Sequence, residues 1–115
     1  MTFPFKAIIS DLDGTLLNAE HKIGDFTIQT LSELSQKGVD VYIATGRNLP
    51  DVQHIIRKVN VDEAMLVTSN GARANVLSGE GVLNHHLPED LAVELKQVEF
   101  APSRICLNTY QGDEW

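Results

Sequence analysis

Along the first half of the chain, dense apolar runs alternate with apolar residues spaced three or four apart. KAIIS at residues 6–10 is the first dense run. It predicts a buried strand, with Ile8 and Ile9 adjacent as in a strand covered on both faces. Residues 14–24 are polar and irregular apart from Leu16 and Leu17. From Asp25 the helical spacing begins: Ile28, Leu31 and Leu34 share a face, and Gly38 stands where a C-cap belongs. VDVYIA at 39–44 predicts a second strand, and Thr45, Gly46 and Arg47 a turn. Pro50 fits the first position of a second helix, with Asp51 in its first turn and Val52, Ile55, Ile56 and Val59 facing inward. Residues 65–68 predict a third strand, ending in Ser69, Asn70 and Gly71.

Strand, helix, strand, helix, strand is the pattern of a parallel sheet built from right-handed crossovers, an α/β fold. Beyond Gly71 the rhythm changes. Residues 72–77, the turn SGEG and residues 82–86 predict a hairpin. Pro88 then opens a helix with Glu89 and Asp90 in its first turn and a stripe of Leu91, Leu95 and Val98. Residues 104–110 predict a further strand, and the sequence closes on GDEW.

The composition narrows the function classes. Sixteen acidic residues against nine basic ones give a formal charge of −7, which argues against broad nucleic-acid affinity but not against one local anion site. The single cysteine, Cys106, excludes an internal disulfide framework, and its place in ICL predicts a buried core residue. MTFPFK lacks the apolar length of a signal peptide, and no stretch approaches the roughly 18 apolar residues of a membrane span. A soluble, cytoplasmic protein without membrane or nucleic-acid partners is the expectation. No oligomeric state follows from the sequence.

Chemistry is concentrated at the strand ends. Asp11 and Asp13 follow the first strand, Thr45, Gly46 and Arg47 the second, and Ser69, Asn70 and Gly71 the third. Open α/β sheets bind ligands beyond the carboxyl ends of their strands. Residues two apart on an extended backbone face the same way, so both carboxylates can reach one site. A divalent cation would relieve their repulsion, and a hard oxygen site without nearby histidine or cysteine suits Mg2+ better than zinc. Alternatively the pair divides labour, one carboxylate attacking while the other passes a proton. Backbone N–H groups near Gly14, with the Thr45 hydroxyl, would cradle a phosphoryl group. Taken singly, each of these tripeptides reads as an ordinary turn. Their agreement at one sheet edge is what points to phosphate.

DLDGTLL at 11–17 resembles DxDGT, the first motif of the haloacid-dehalogenase-like phosphatases. IATGR at 43–47 resembles their second motif, and TSNGA at 68–72 is similar to a stretch typical of the Cof-type subfamily. The likeness runs to the closing DEW, toward an enteric bacterial member acting on sugar phosphates or pyridoxal phosphate. It implies a three-layer Rossmann-like core at 1–71, with 72–115 as linker and the start of an α/β cap. It also implies Mg2+-dependent hydrolysis of small phosphorylated metabolites through an aspartyl-phosphate on Asp11, with Asp13 as general acid and then base. The Asp11 carboxylate and the Asp13 carbonyl would hold the metal. Leu12, Thr45, Gly46, Arg47 and Asn70 would bind phosphate or substrate, and His85 and His86 would be surface or hinge residues. The later lysine and the Gly-Asp-x-x-Asn-Asp-like motif of the family are not found. Lys58 and Lys96 lie in helical stripes, and the closing Gly112, Asp113 and Glu114 match that motif only superficially. Core and cap are therefore expected to be incomplete, as the front part of a longer protein or a truncated product. These 115 residues alone are expected to be inactive and poorly stable. A non-catalytic phosphate-binding or structural remnant is the alternative.

Overall fold

A computed structural model of the chain describes residues 4–99 and 104–112. It divides into two compact units, residues 1–84 and 85–115. In the first, β1 (Ala7–Ser10), β2 (Asp40–Ala44), β3 (Ala64–Thr68), β4 (Arg73–Val76) and β5 (Gly81–Asn84) form one sheet in sequential order. The first three strands are parallel, with Ser10 opposite Ile43 and Ala44 opposite Val67. β4 then runs antiparallel to β3, and β5 antiparallel to β4. The expected hairpin thus exists but extends the same sheet. The division between compact units falls after Asn84.

Two helices cross between the parallel strands, α1 (Asp25–Gln36) and α2 (Leu49–Ile56). α1 ends as its sequence predicts, with Gly38 at φ +77°, the left-handed conformation glycine adopts without steric cost. α2 starts one residue before Pro50, because the Asn48 side chain accepts from the Asp51 N–H at 3.0 Å and makes Asn48 the N-cap. Val41 and Ile43 of β2 and Ala64 and Leu66 of β3 share one sheet face by the two-residue period. Leu31 of α1 and Leu49, Val52 and Ile56 of α2 join them in a single buried cluster. Both helices therefore cover the same face.

The opposite face departs from expectation. Ile9 is 70% exposed, so β1 is not covered on both faces, and by strand order it is an end strand of the described sheet. The irregular segment after β1 is also more ordered than its polarity suggests. Leu12–Leu16 forms one wide turn, closed by the Leu17 N–H donating to the Leu12 carbonyl at 3.0 Å, with Gly14 at φ +73°. Leu17 then bridges antiparallel to Ile23, and Leu12, Leu17 and Ile23 enter the core.

The second unit holds α3 (Glu89–Lys96), which follows Pro88. Its stripe of Leu91, Leu95 and Val98 is exposed. Residues 104–110 do not form the expected strand, since an extended segment becomes one only when a ladder pairs its backbone groups. No described residue supplies that ladder. Cys106, expected in the core, is accordingly exposed. Asp113, Glu114 and Trp115 of the closing GDEW lie outside the described residues. Among the described residues, no helix is long and apolar enough to cross a membrane.

The turn after β1 generates a stability prediction. A methyl group on Gly14 would meet nothing within 4 Å, so its cost is the backbone conformation alone. Gly14→Ala should destabilise the fold by about 1 kcal/mol. Gly24, the N-cap of α1 at φ −71°, offers the contrast. Gly24→Ser should be neutral or stabilising by a few tenths of a kcal/mol. Urea melts of both variants beside the parent check this.

Candidate active site

Because β1, β2 and β3 run parallel, their carboxyl ends open on one edge, which carries Asp11, Thr45 and Asn70. The loops there are stapled by backbone hydrogen bonds. The Ser69 N–H donates to the Arg47 carbonyl at 2.9 Å, and the Asn70 N–H to the Thr45 carbonyl at 3.2 Å. Ser69 (φ +50°) and Asn70 (φ +55°) take left-handed backbone for this purpose, a conformation costly for side-chain-bearing residues and tolerated best by asparagine. A Cβ on Gly46 would lie 2.9 Å from Asn70 Oδ1. Glycine there lets the two loops approach, a role additional to the N–H expected of it. Thr45 is buried, and its Oγ1 accepts the Arg47 N–H at 3.2 Å, so its hydroxyl hydrogen can still be donated to a ligand oxygen.

Both carboxylates are exposed, so the strand end avoids the desolvation cost a buried pair would carry. Their partners differ. Asp11 Oδ1 accepts the Leu12 N–H at 2.7 Å. The Leu12 side chain is fully buried, so its expected phosphate contact could come only from that N–H, already engaged by Asp11. Asp13 receives the guanidinium of Arg47 as a two-pronged fork, Nε to Oδ2 at 2.8 Å and Nη2 to Oδ1 at 2.7 Å. His21 also approaches, with Nδ1 3.9 Å from Asp13 Oδ1, the oxygen that accepts from Arg47 Nη2. The fork holds the Asp13 carboxyl below the usual carboxylate range; desolvation opposes it, and the charges of Arg47 and then His21 add lesser lowering effects. The same pair holds Arg47 above its ordinary value.

The expected substrate-facing Arg47 is therefore turned to Asp13. His21 was not anticipated. Its signal is weak: a polar stretch, NAEHK, flanked by Leu17 and Ile23, reads as a small hairpin only once those two residues are known to pair. His85 and His86 are exposed in the second unit. For a metal, the Asp11 carboxylate is a hard oxygen donor with one oxygen beyond the Leu12 bond, which suits Mg2+. Among the described residues, no group of three or more His, Cys, Asp or Glu side chains is placed to share an ion. The residues present fit part of a magnesium shell.

The fork gives a pH prediction. A carboxylate with a lowered folded value contributes stability above its unfolded pKa, and loses it as pH falls through the folded value. Arg47→Met should lower the melting midpoint at pH 6, and parent and variant should converge near pH 2. Asp13 is 47% exposed, so the difference at pH 6 should be below about 1 kcal/mol.

Comparison with known proteins agrees with this geometry. A family model described as haloacid dehalogenase-like hydrolase matches residues 8–115. A Haemophilus influenzae protein that bears a provisional phosphatase name is 50% identical over all 115 residues, which span 42% of its length. An HMP-PP phosphatase of Escherichia coli O157:H7 is 36% identical over 91% of this chain and 38% of its own. Among solved structures, a haloacid dehalogenase-like hydrolase from B. subtilis superposes with a TM-score of 0.71 at 27% identity, covering 79% of this chain and 32% of its own. The chain thus spans less than half the length of the relatives it matches. With the family model covering nearly all of it and the carboxylate turn at the carboxyl edge of a parallel sheet, the chain belongs to the haloacid dehalogenase-like hydrolases.

Proposed function

We propose that the protein carrying this chain is a Mg2+-dependent phosphatase of small phosphorylated metabolites, working through an aspartyl-phosphate on Asp11. The observation that carries the reading is the unequal pair of carboxylates on one turn, at the sheet edge that also presents Thr45 and Gly46. In the first half-reaction an Asp11 oxygen attacks phosphorus, the bond to the leaving oxygen breaks, and Asp13 gives that oxygen a proton. In the second, water attacks the same phosphorus, Asp13 takes the water's proton, and the bond to Asp11 breaks to release phosphate. Thr45 would donate its hydroxyl, and Gly46 its N–H, to phosphoryl oxygens, as preorganised donors for charge that grows in the transition state. Asn70 would hold the Gly46 loop or face substrate. Mg2+, held by the Asp11 carboxylate and the Asp13 carbonyl, would neutralise part of the phosphoryl charge when bound.

The substrate classes proposed are sugar phosphates and pyridoxal phosphate. The 36% identity to an HMP-PP phosphatase adds HMP-PP as a third candidate. We also assign residues 1–71 to the front of a catalytic core and the later part to a linker and the start of a cap.

The test is phosphate release by the full-length protein, with and without Mg2+, against these three substrates. Asp11→Asn should keep its melting midpoint and lose turnover by about a thousandfold or more, since one oxygen carries the covalent step. Turnover undiminished in that variant would overturn the mechanism. Stabilisation of the parent by phosphate, with no turnover, would favour the non-catalytic binding reading instead.

A further inference from the structure

A cleft of about 180 Å3 lies between the loop that the Leu17–Ile23 bridge closes and α2. Ile23, buried, and Ile55, half-buried, give it an apolar floor. His21 and Lys22 line it from the loop, and His54 and Lys58 from the α2 side, four positions apart and so on one helical face. Glu20 is the one acidic side chain in the lining, so two ammonium groups outnumber it on a chain of formal charge −7. Among the described residues, neither lysine ammonium is engaged in an ion pair or a hydrogen bond. The loop wall is firmly held. Asn18 Oδ1 accepts the Glu20 and Lys22 N–H groups at 3.1 and 3.0 Å. The Asn18 N–H donates to the Lys22 carbonyl at 2.9 Å, and the His21 N–H to the Asn18 carbonyl at 3.0 Å. These bonds keep His21 at φ +57°, a left-handed conformation that a side-chain-bearing residue adopts at a cost.

We propose that this cleft binds a small phosphate-class dianion bearing an apolar group, at a site separate from the phosphoryl cradle of Thr45 and Gly46. Two ammonium groups match two negative charges, and each acts as a point charge without the planar demand of a guanidinium. An imidazole offers an N–H to a phosphate oxygen even when neutral. The isoleucine floor takes the apolar group out of water. A bare inorganic ion would leave that floor wet, and a purely apolar molecule would leave both ammonium groups unmatched. The class of ligand follows from needing both. The inference goes beyond the phosphatase reading and does not depend on it, since neither lysine has a role in the proposed chemistry.

The test titrates the full-length protein, its histidine rings isotope-labelled, with phenylphosphonate, an aryl dianion that cannot be hydrolysed. His54 lines the cleft and has no ion pair with either carboxylate, so its ring signal reports this site. We expect a saturable shift of that signal, which His54→Gln identifies by its loss. Lys22→Gln with Lys58→Gln should weaken binding roughly tenfold or more, because each removes a charge-assisted contact. Lys22→Arg with Lys58→Arg keeps the charge and should bind within about threefold of the parent. Inorganic phosphate should bind about tenfold more weakly, for want of the apolar group. Asp11→Asn should leave the His54 titration unchanged, and the glutamine pair should hydrolyse p-nitrophenyl phosphate within about twofold of the parent. No saturable His54 shift, or one equally strong in the glutamine pair, would overturn the inference. So would a shift lost in Asp11→Asn, which would put the probe in the phosphoryl cradle alone. Inorganic phosphate binding as tightly as phenylphosphonate would overturn the assignment of an apolar group. Should the glutamine pair melt lower than the parent, Lys58→Gln alone is read in its place. A parent without Mg2+-dependent turnover overturns the phosphatase reading but not this site, because the His54 titration needs no turnover.

Discussion

Parallel pairing is the constraint on which the rest of the first unit depends. Each parallel strand must be re-entered from the same end, so every connection returns across a face and every strand finishes at the same edge. With β1, β2 and β3 in register, the turn at Asp11, the loop at Thr45 and the loop at Asn70 cannot avoid one another. The hydrogen bonds from Ser69 and Asn70 back to Arg47 and Thr45 then convert neighbouring loops into one rigid rim. The left-handed residues at 69 and 70 are sustained by that stapling, and Gly46 leaves the room it needs.

The same topology accounts for the one-sided core. Two crossovers of one hand, between strands laid down in sequential order, put α1 and α2 on a single face. Val41, Ile43, Ala64 and Leu66 are buried beneath them. On the other face, register places Ile9, Tyr42, Met65 and Val76 in one row across four strands. Ile9 in that row is mostly exposed.

The parallel strands and both crossover helices were legible because each rests on a local pattern: β-branched runs, three-residue apolar spacing, Gly38 past a helix end, Pro50 near a helix start. Boundaries slipped by one residue at α2 because a side-chain cap outranks proline's preference for the first position. The missed features depend on pairing. Ile9 looks like a doubly covered strand residue, but both helices pack on the opposite face and leave Ile9 mostly exposed. Residues 104–110 have strand composition, but composition does not supply a ladder. Cys106 is exposed for the same reason. At the site, the residue types were legible and their partners were not. Arg47 and Asp13 meet across 34 positions of chain, and nothing in TGR says whether its arginine will turn to a ligand or to a carboxylate.

That pairing also answers why two carboxylates can follow one strand. A cation was expected to relieve their repulsion, and the chain supplies one itself in the Arg47 guanidinium. It does not serve both equally. Asp13 is neutralised by a charged fork, whereas Asp11 is steadied by a single neutral N–H and keeps an oxygen beyond that bond. A carboxylate bound by a guanidinium is a poor nucleophile, because the lone pairs it would use are engaged in strong hydrogen bonds. One held only by a backbone N–H remains available to attack and to bind a hard cation. Two chemically identical side chains on one turn are thus made different by their partners: Asp11 keeps an oxygen beyond its N–H bond, and both Asp13 oxygens are held by the fork.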